Sequence, residues 1–254
     1  MMHSATCSKS LRFIDPYSDM QIKTCYTYPR GYQACPINDQ IELIARAFQL
    51  DPEGAYAFAA NLPELPNGAE AWFAIPSLDA VNKKHFQGID NASDLYCHAT
   101  QLALEKLVTS RVFRNYRDGQ IRPNRLRVRP RTKEAFGEVA RACQGDIHII
   151  PAQLGMRHRG ISAYRAQEHF AANEFGLPCF AVASILLANP ERFKHEEELC
   201  VECAGDEFVE SDGDHVYADV PTFFSLHSEL GFDGHCWIYP FDSYGSATGF
   251  IWAK

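Results

Sequence analysis

Between Arg111 and Lys133 the chain carries nine basic side chains against one acid, Asp118. Within that stretch, Arg125-Leu-Arg-Val-Arg-Pro-Arg131 places a guanidinium at every second position. Extended backbone would put Arg125, Arg127 and Arg129 on one face and turn Leu126 and Val128 to the other. The row would repeat at about 6.5 to 7 Å, comparable with the phosphate interval of an extended nucleic-acid strand. Arg111 and Arg114 follow Leu107 at helical spacing and extend the same basic surface. Guanidinium groups bind phosphate in a bidentate way that lysine does not. The chemistry expected is therefore binding of a phosphate-bearing ligand, nucleic acid first. The alternative is that these arginines pair with the chain's own acids, within one molecule or across a homo-oligomeric contact.

A second basic group, Arg157-His158-Arg159, lies between Gly155 and Gly160. Read as a loop that opens a helix at Ser162, it would deliver two guanidiniums and an imidazole to the positive end of a helix dipole, a natural anion site. Catalytic candidates follow from it: His158 with Glu174, or with Asp206 or Glu207, could move protons in a phosphate-ester hydrolase or nuclease. Cys179, just inside a helix after Pro178, could be a nucleophile with His148 or His158 as its base, although its apolar neighbours Leu177, Phe180 and Val182 argue for burial.

Soft metal ligands are also present. Cys200-Val-Glu-Cys203 has a spacing that can grip one tetrahedral ion, and His235-Cys236 could complete the set. A strand over 199–203 would send the two sulfurs to opposite faces, and cysteine as a small core residue is the weightier reading. Asp212, Asp214 and His215 could hold a divalent ion, or simply form a polar hairpin tip. No Walker loop, dinucleotide fingerprint or nucleophile elbow is present, so the sequence names no cofactor.

The elements that must position these residues are legible from periodicity. Ile41, Ile44 and Phe48 form one helical face; a helix over about 93–113 buries Leu95, Ala99, Leu102, Ala103 and Leu107; another begins near Thr132 and closes at Gly145. Glu70 to Ile75 and Ile147 to Pro151 read as short strands, residues 162–175 as a helix, and the run after Pro178, apolar on nearly every side, as the central core helix. From Leu199 onward, β-branched and aromatic runs alternate with turn residues, the pattern of hairpins. The expected fold is α+β in one domain over 1–254: a mainly helical N-terminal and central part with a short strand set, an antiparallel β-rich part over 199–254, and an extended 1–27.

The 254 residues carry a net charge of −8, concentrated unevenly. Residues 191–219 hold eleven acids against Arg192 and Lys194, so the chain is electrically polarised,. Nine cysteines without a regular interval suit reduced thiols better than a disulfide framework,. The first residues show no secretory pattern, and the longest apolar run, Cys179 to Ala188, is about half of what a bilayer requires. A cytoplasmic protein with no membrane partner is expected.

Overall fold

The structure is a computed structural model that describes residues 20–195, 198–209, 217–227 and 229–252. In chain order, α1 (Ile37–Phe48) buries the predicted stripe of Ile41, Ile44 and Phe48. It is followed by α2 (Glu53–Ala59), β1 (Ala71–Pro76) and the short α3 (Leu78–Val81), which runs into a π-helical turn at Asn82–Phe86. The long α4 (Ala92–Ser110) starts at Asn91, whose side chain accepts the Ser93 and Asp94 amides, and buries Leu95, Ala99, Ala103 and Leu107,. Next come β2 (Phe113–Asn115), β3 (Leu126–Val128), α5 (Pro130–Ala142) and β4 (Ile147–Arg159). The chain continues through α6 (Ala163–Glu168), β5 (Glu174–Gly176) and α7 (Cys179–Ala188). It ends in β6 (Cys200–Glu202), β7 (Asp206–Phe208), β8 (Asp219–Leu226), β9 (Glu229–Cys236) and β10 (Tyr244–Phe250).

Among the described residues the ten strands form one mixed sheet, ordered β1-β4-β10-β6-β8-β7-β3, with β9 on β8, β2 on β9 and β5 on β10. This corrects the expectation of a separate antiparallel C-terminal part. β10 pairs with β6 in parallel and β2 with β9 in parallel, while the other pairs are antiparallel. Parallel partners need a long crossover between them. The crossover from β6 to β10 passes through β7, β8 and β9, and β2 is supplied by the helical half of the chain, so strands from all parts share one surface.

Two local expectations are corrected with it. The supposed loop over Gly155–Gly160 is the second half of β4, a thirteen-residue strand. Gly155 has φ +114°, and a Cβ there would meet the Gly245 carbonyl oxygen at 2.8 Å. Its register partner β10 shifts between Gly245 and Ala247, so these glycines mark an irregularity within the ladder rather than a turn,. The helix expected over 162–175 is only α6, capped by the Ser162 hydroxyl on the Arg165 amide at 3.1 Å. The rest of that segment becomes β5, held by pairing of Gly176, Phe175 and Glu174 with Thr248, Gly249 and Phe250.

All ten residues of α7 are buried, as its uniform apolar composition predicts, and the helix packs against α1, α4 and β1. Among the described residues no helix is long and apolar enough to cross a membrane.

Candidate functional site

Four helix starts surround one end of the β1–β4 pair, where Ile75 lies opposite His148. Each start has a local cause. Pro76 and Ser77 end β1 in extended backbone before α3, Asn91 caps α4, Pro130 opens α5, and Pro178 precedes α7,. Between them is a cavity of about 350 Å3 walled mainly by apolar groups, including Leu78, Leu126, Val128, Phe136 and Phe180. That volume is at the small end of ligand pockets, roughly 300–1,000 Å3.

A few polar groups face this space. His148 is only 8% exposed, and among the described residues its imidazole has no hydrogen-bond partner. Burial lowers its pKa below the usual 6.5, opposed by the charge of Asp79, so the ring is neutral near pH 7,. Tyr96 also lines the cavity, and its hydroxyl donates to Asp206 Oδ2 at 2.6 Å. The same carboxylate oxygen accepts the Cys179 amide at 2.6 Å, fixing the start of α7. Burial pushes the Asp206 carboxyl up to about 6, against the hydrogen bonds from Cys179 and Tyr96 and the charge of Arg129; its Oδ1 has no partner. The Tyr96 hydroxyl is thus held inside the protein by Asp206, and the residue contributes to the cavity wall. Cys179 Sγ lies 3.3 Å from the Tyr96 hydroxyl, fully buried, and burial followed by the Asp206 charge drives its thiol pKa far above the ordinary value. Such a thiol is not a nucleophile.

A separate constellation joins two residues that the sequence analysis singled out. His158 Nε2 lies 2.7 Å from Glu174 Oε1, which also accepts the Thr248 hydroxyl at 2.7 Å. Glu174 Oε2 accepts the Ala171 amide at 3.0 Å and Arg157 Nε at 3.3 Å. Burial pushes this carboxyl up, but the bonds from His158, Thr248 and Ala171 outweigh it and hold the pKa at about 2. Arg131 donates to the Ala171 and Ala172 carbonyls and lies 5.8 Å from the Phe170 ring, which in turn packs 5.2 Å from His158. Arg157 and His158 sit in a strand, so the expected helix-terminus anion site is corrected. Arg159 is half-buried in the same strand, its Nη1 3.6 Å from Met156 Sδ.

The remaining arginines have partners inside the molecule. β3 pairs with β7 so that Arg127 lies opposite Glu207, a cross-strand ion pair of the kind that stabilises sheets,. Arg129 Nη1 reaches the same carboxylate at 2.9 Å, with its guanidinium 4.6 Å from the Trp237 ring. Arg125 is buried and donates to Gln120 Oε1 at 2.7 Å. Arg111 donates to the Arg192 carbonyl at 2.9 Å and to that of Phe193. Arg114 is exposed over Tyr116, 4.8 Å from its centroid. Arg127 and Arg129 thus share the Glu207 carboxylate, while Arg125 is buried against Gln120.

Cys200 and Cys203 are buried near β6, while His235 stacks on Tyr244 at 4.5 Å and Cys236 lies opposite Asp219 on β9. Among the described residues no three potential ligands gather as a metal site. Asp212, Asp214 and His215 lie outside the described residues, as do the residues of the expected N-terminal extension up to 19.

The last residue of β6 is a carboxyl that no sequence pattern singles out. Glu202 is buried, its Oε2 accepts the Ser246 hydroxyl at 2.7 Å, and its Oε1 has no partner. Burial raises its pKa from 4.5 to about 7, the Ser246 bond pulling the other way. The folded state then holds a proton that the unfolded state releases above pH 4.5, so this group's contribution falls as pH rises from 4.5 to 7. Glu202→Gln should remove that loss, gaining about 3 kcal/mol over the parent above pH 7 and little at pH 4.5. Urea titrations across this range check it; a constant difference at all pH values would contradict the assignment.

The cavity itself escaped sequence reading. In the sequence His148 is a candidate only as a base for Cys179, and the one signal of the cavity is four helix-start signatures in separate parts of the chain. No family model, curated protein or solved structure matches this chain.

Proposed function

We propose that this protein binds a small, mainly apolar organic molecule in the cavity between β1, β4 and the starts of α3, α4, α5 and α7. One observation carries the reading: an imidazole more than nine-tenths buried, without a partner among the described residues, faces an apolar-walled space of about 350 Å3. The His148 nitrogens are not among the unpartnered atoms sealed from solvent, so they open on this space, where a ligand or ordered water can supply the bond that a polar group requires,. The walls supply affinity through apolar burial, and His148 supplies orientation.

The test is titration with p-cresol and indole followed by the NMR signals of the His148 ring. Saturable shifts of those signals, with the two probes competing, are expected. Unmoved His148 resonances with both probes would overturn the reading.

A second reading has its own support. The His158–Glu174 contact with Arg157 and Arg131 nearby has the parts of an acid–base site for a phosphate ester, in which the carboxylate orients the imidazole,. It predicts slow hydrolysis of p-nitrophenyl phosphate that is lost in His158→Gln. A nucleic-acid partner would draw on the exposed Arg114 and Arg131 and predicts retention that weakens steeply between about 50 and 200 mM salt. The internal partners of Arg125, Arg127 and Arg129 reduce the charge available to it.

A further inference from the structure

The cavity lining includes two exposed charges of opposite sign on different helices: Asp79 in the first turn of α3 and Lys133 in the first turn of α5. Among the described residues neither side chain has a hydrogen-bond or ion-pair partner, and they do not pair with each other. The third charged lining residue, Arg127, shares the Glu207 carboxylate with Arg129 and stacks 3.7 Å from the Tyr217 ring centroid. Asp79 follows β1 in the first turn of α3, next to the strand end where Ile75 lies opposite His148, so the carboxylate and the imidazole share the α3 side of the space, and the Asp79 charge acts on the ring. One side is therefore suited to a cation that can also donate a hydrogen bond, and the α5 side to an anion.

Resting on the cavity reading above, we infer that the ligand is a free apolar α-amino acid, held by its ammonium between Asp79 and His148 and by its carboxylate at Lys133, with its side chain against Leu126, Val128, Phe136 and Phe180. A plain carboxylic acid would leave Asp79 unmatched and bring a like charge near it; a plain amine would do the same to Lys133. A zwitterion matches both, and its apolar side chain fills a space of this size. Each charge-assisted contact adds to affinity only when both partners are present, so charge removal on the protein and on the ligand should be interchangeable.

The experiment is calorimetric titration at pH 7 with L-phenylalanine, L-leucine and L-tryptophan, alongside phenethylamine and 3-phenylpropanoate. L-Phenylalanine should bind about tenfold or more tighter than either truncated analogue, a margin of one ordinary charge-assisted contact. Lys133→Gln should erase its advantage over phenethylamine and keep that over 3-phenylpropanoate; Asp79→Asn should do the reverse. Both residues are exposed, so neither change threatens the fold. Equal binding of all analogues, or equal losses for all of them in both variants, would overturn the inference. If p-cresol and indole bind at His148 and no amino acid does, the inference fails while the cavity reading stands. If no probe of any kind binds, both fail.

Discussion

Replacing Glu174 with alanine is expected to destabilise the protein by about 3–5 kcal/mol, because it leaves several buried donors unsatisfied at about 1–3 kcal/mol each. The carboxylate is buried and accepts from four groups: His158, Thr248, Arg157 and the Ala171 amide. Removing it strands the His158 imidazole, which is 4% exposed, and leaves the Thr248 hydroxyl without its acceptor. Thr248 in turn accepts Gln153 Nε2 at 2.8 Å, so the damage reaches the β4–β10 pairing. Glu174→Gln keeps the shape and one acceptor oxygen, and should lose less. The pH dependence separates the charge from the packing. With a folded pKa of about 2 against an ordinary 4.5, Glu174 contributes stability that is fully present above pH 4.5 and lost as pH falls towards 2,. That limb amounts to about 3 kcal/mol and should be missing in Glu174→Gln. Urea midpoints at pH 7 and pH 3 measure both effects, about 2 kcal/mol of the limb being lost by pH 3; an acid limb unchanged by the substitution would show that other carboxyls produce it.

His158 and Glu174 were both visible in the sequence as chemical types, and the structure brings them together, but through a route that local patterns do not encode. Gly155 and Gly160 have the look of loop punctuation, yet the first accommodates the close approach of β10 inside a continuous strand. Glu174-Phe-Gly176 continues a helical-looking segment and becomes a strand because β10 offers it partners far along the chain. Helices were more legible, since the stripes of α1 and α4 and the all-apolar α7 are set by local spacing,. The arginine segment shows the opposite limit. Its charge and alternation are written in the sequence, but whether a guanidinium faces a ligand or Glu207 is decided by strand pairing. Composition reports how many charges exist, and pairing decides how many remain unpaired. The cavity was hidden for the same reason: its walls come from six separate parts of the chain, and a neutral buried histidine leaves no periodic signature.

Gly137→Phe should abolish ligand binding in the cavity while leaving the protein at least as stable as the parent. Gly137 lies within α5 and lines the cavity. A Cβ at this position meets nothing nearer than Arg141 Nη1 at 3.7 Å, an ordinary contact with the far end of a flexible side chain. Its backbone carries no positive φ, so a larger residue fits the helix without strain. Glycine in a helix interior costs about 0.5–1 kcal/mol relative to alanine, so Gly137→Ala alone should stabilise by roughly that amount and leave room for a ligand. Phenylalanine adds a ring that occupies much of a space of about 350 Å3 and packs against its apolar walls,. The two variants therefore share the backbone effect and differ in occupancy. Affinity for p-cresol and indole should be near the parent value in Gly137→Ala and at least 100-fold weaker in Gly137→Phe, about 2.7 kcal/mol. Thermal unfolding should rank both above the parent. Retained probe affinity in Gly137→Phe, with the fold intact, would mean that the molecules bind elsewhere, and His148 would then owe its burial to packing alone.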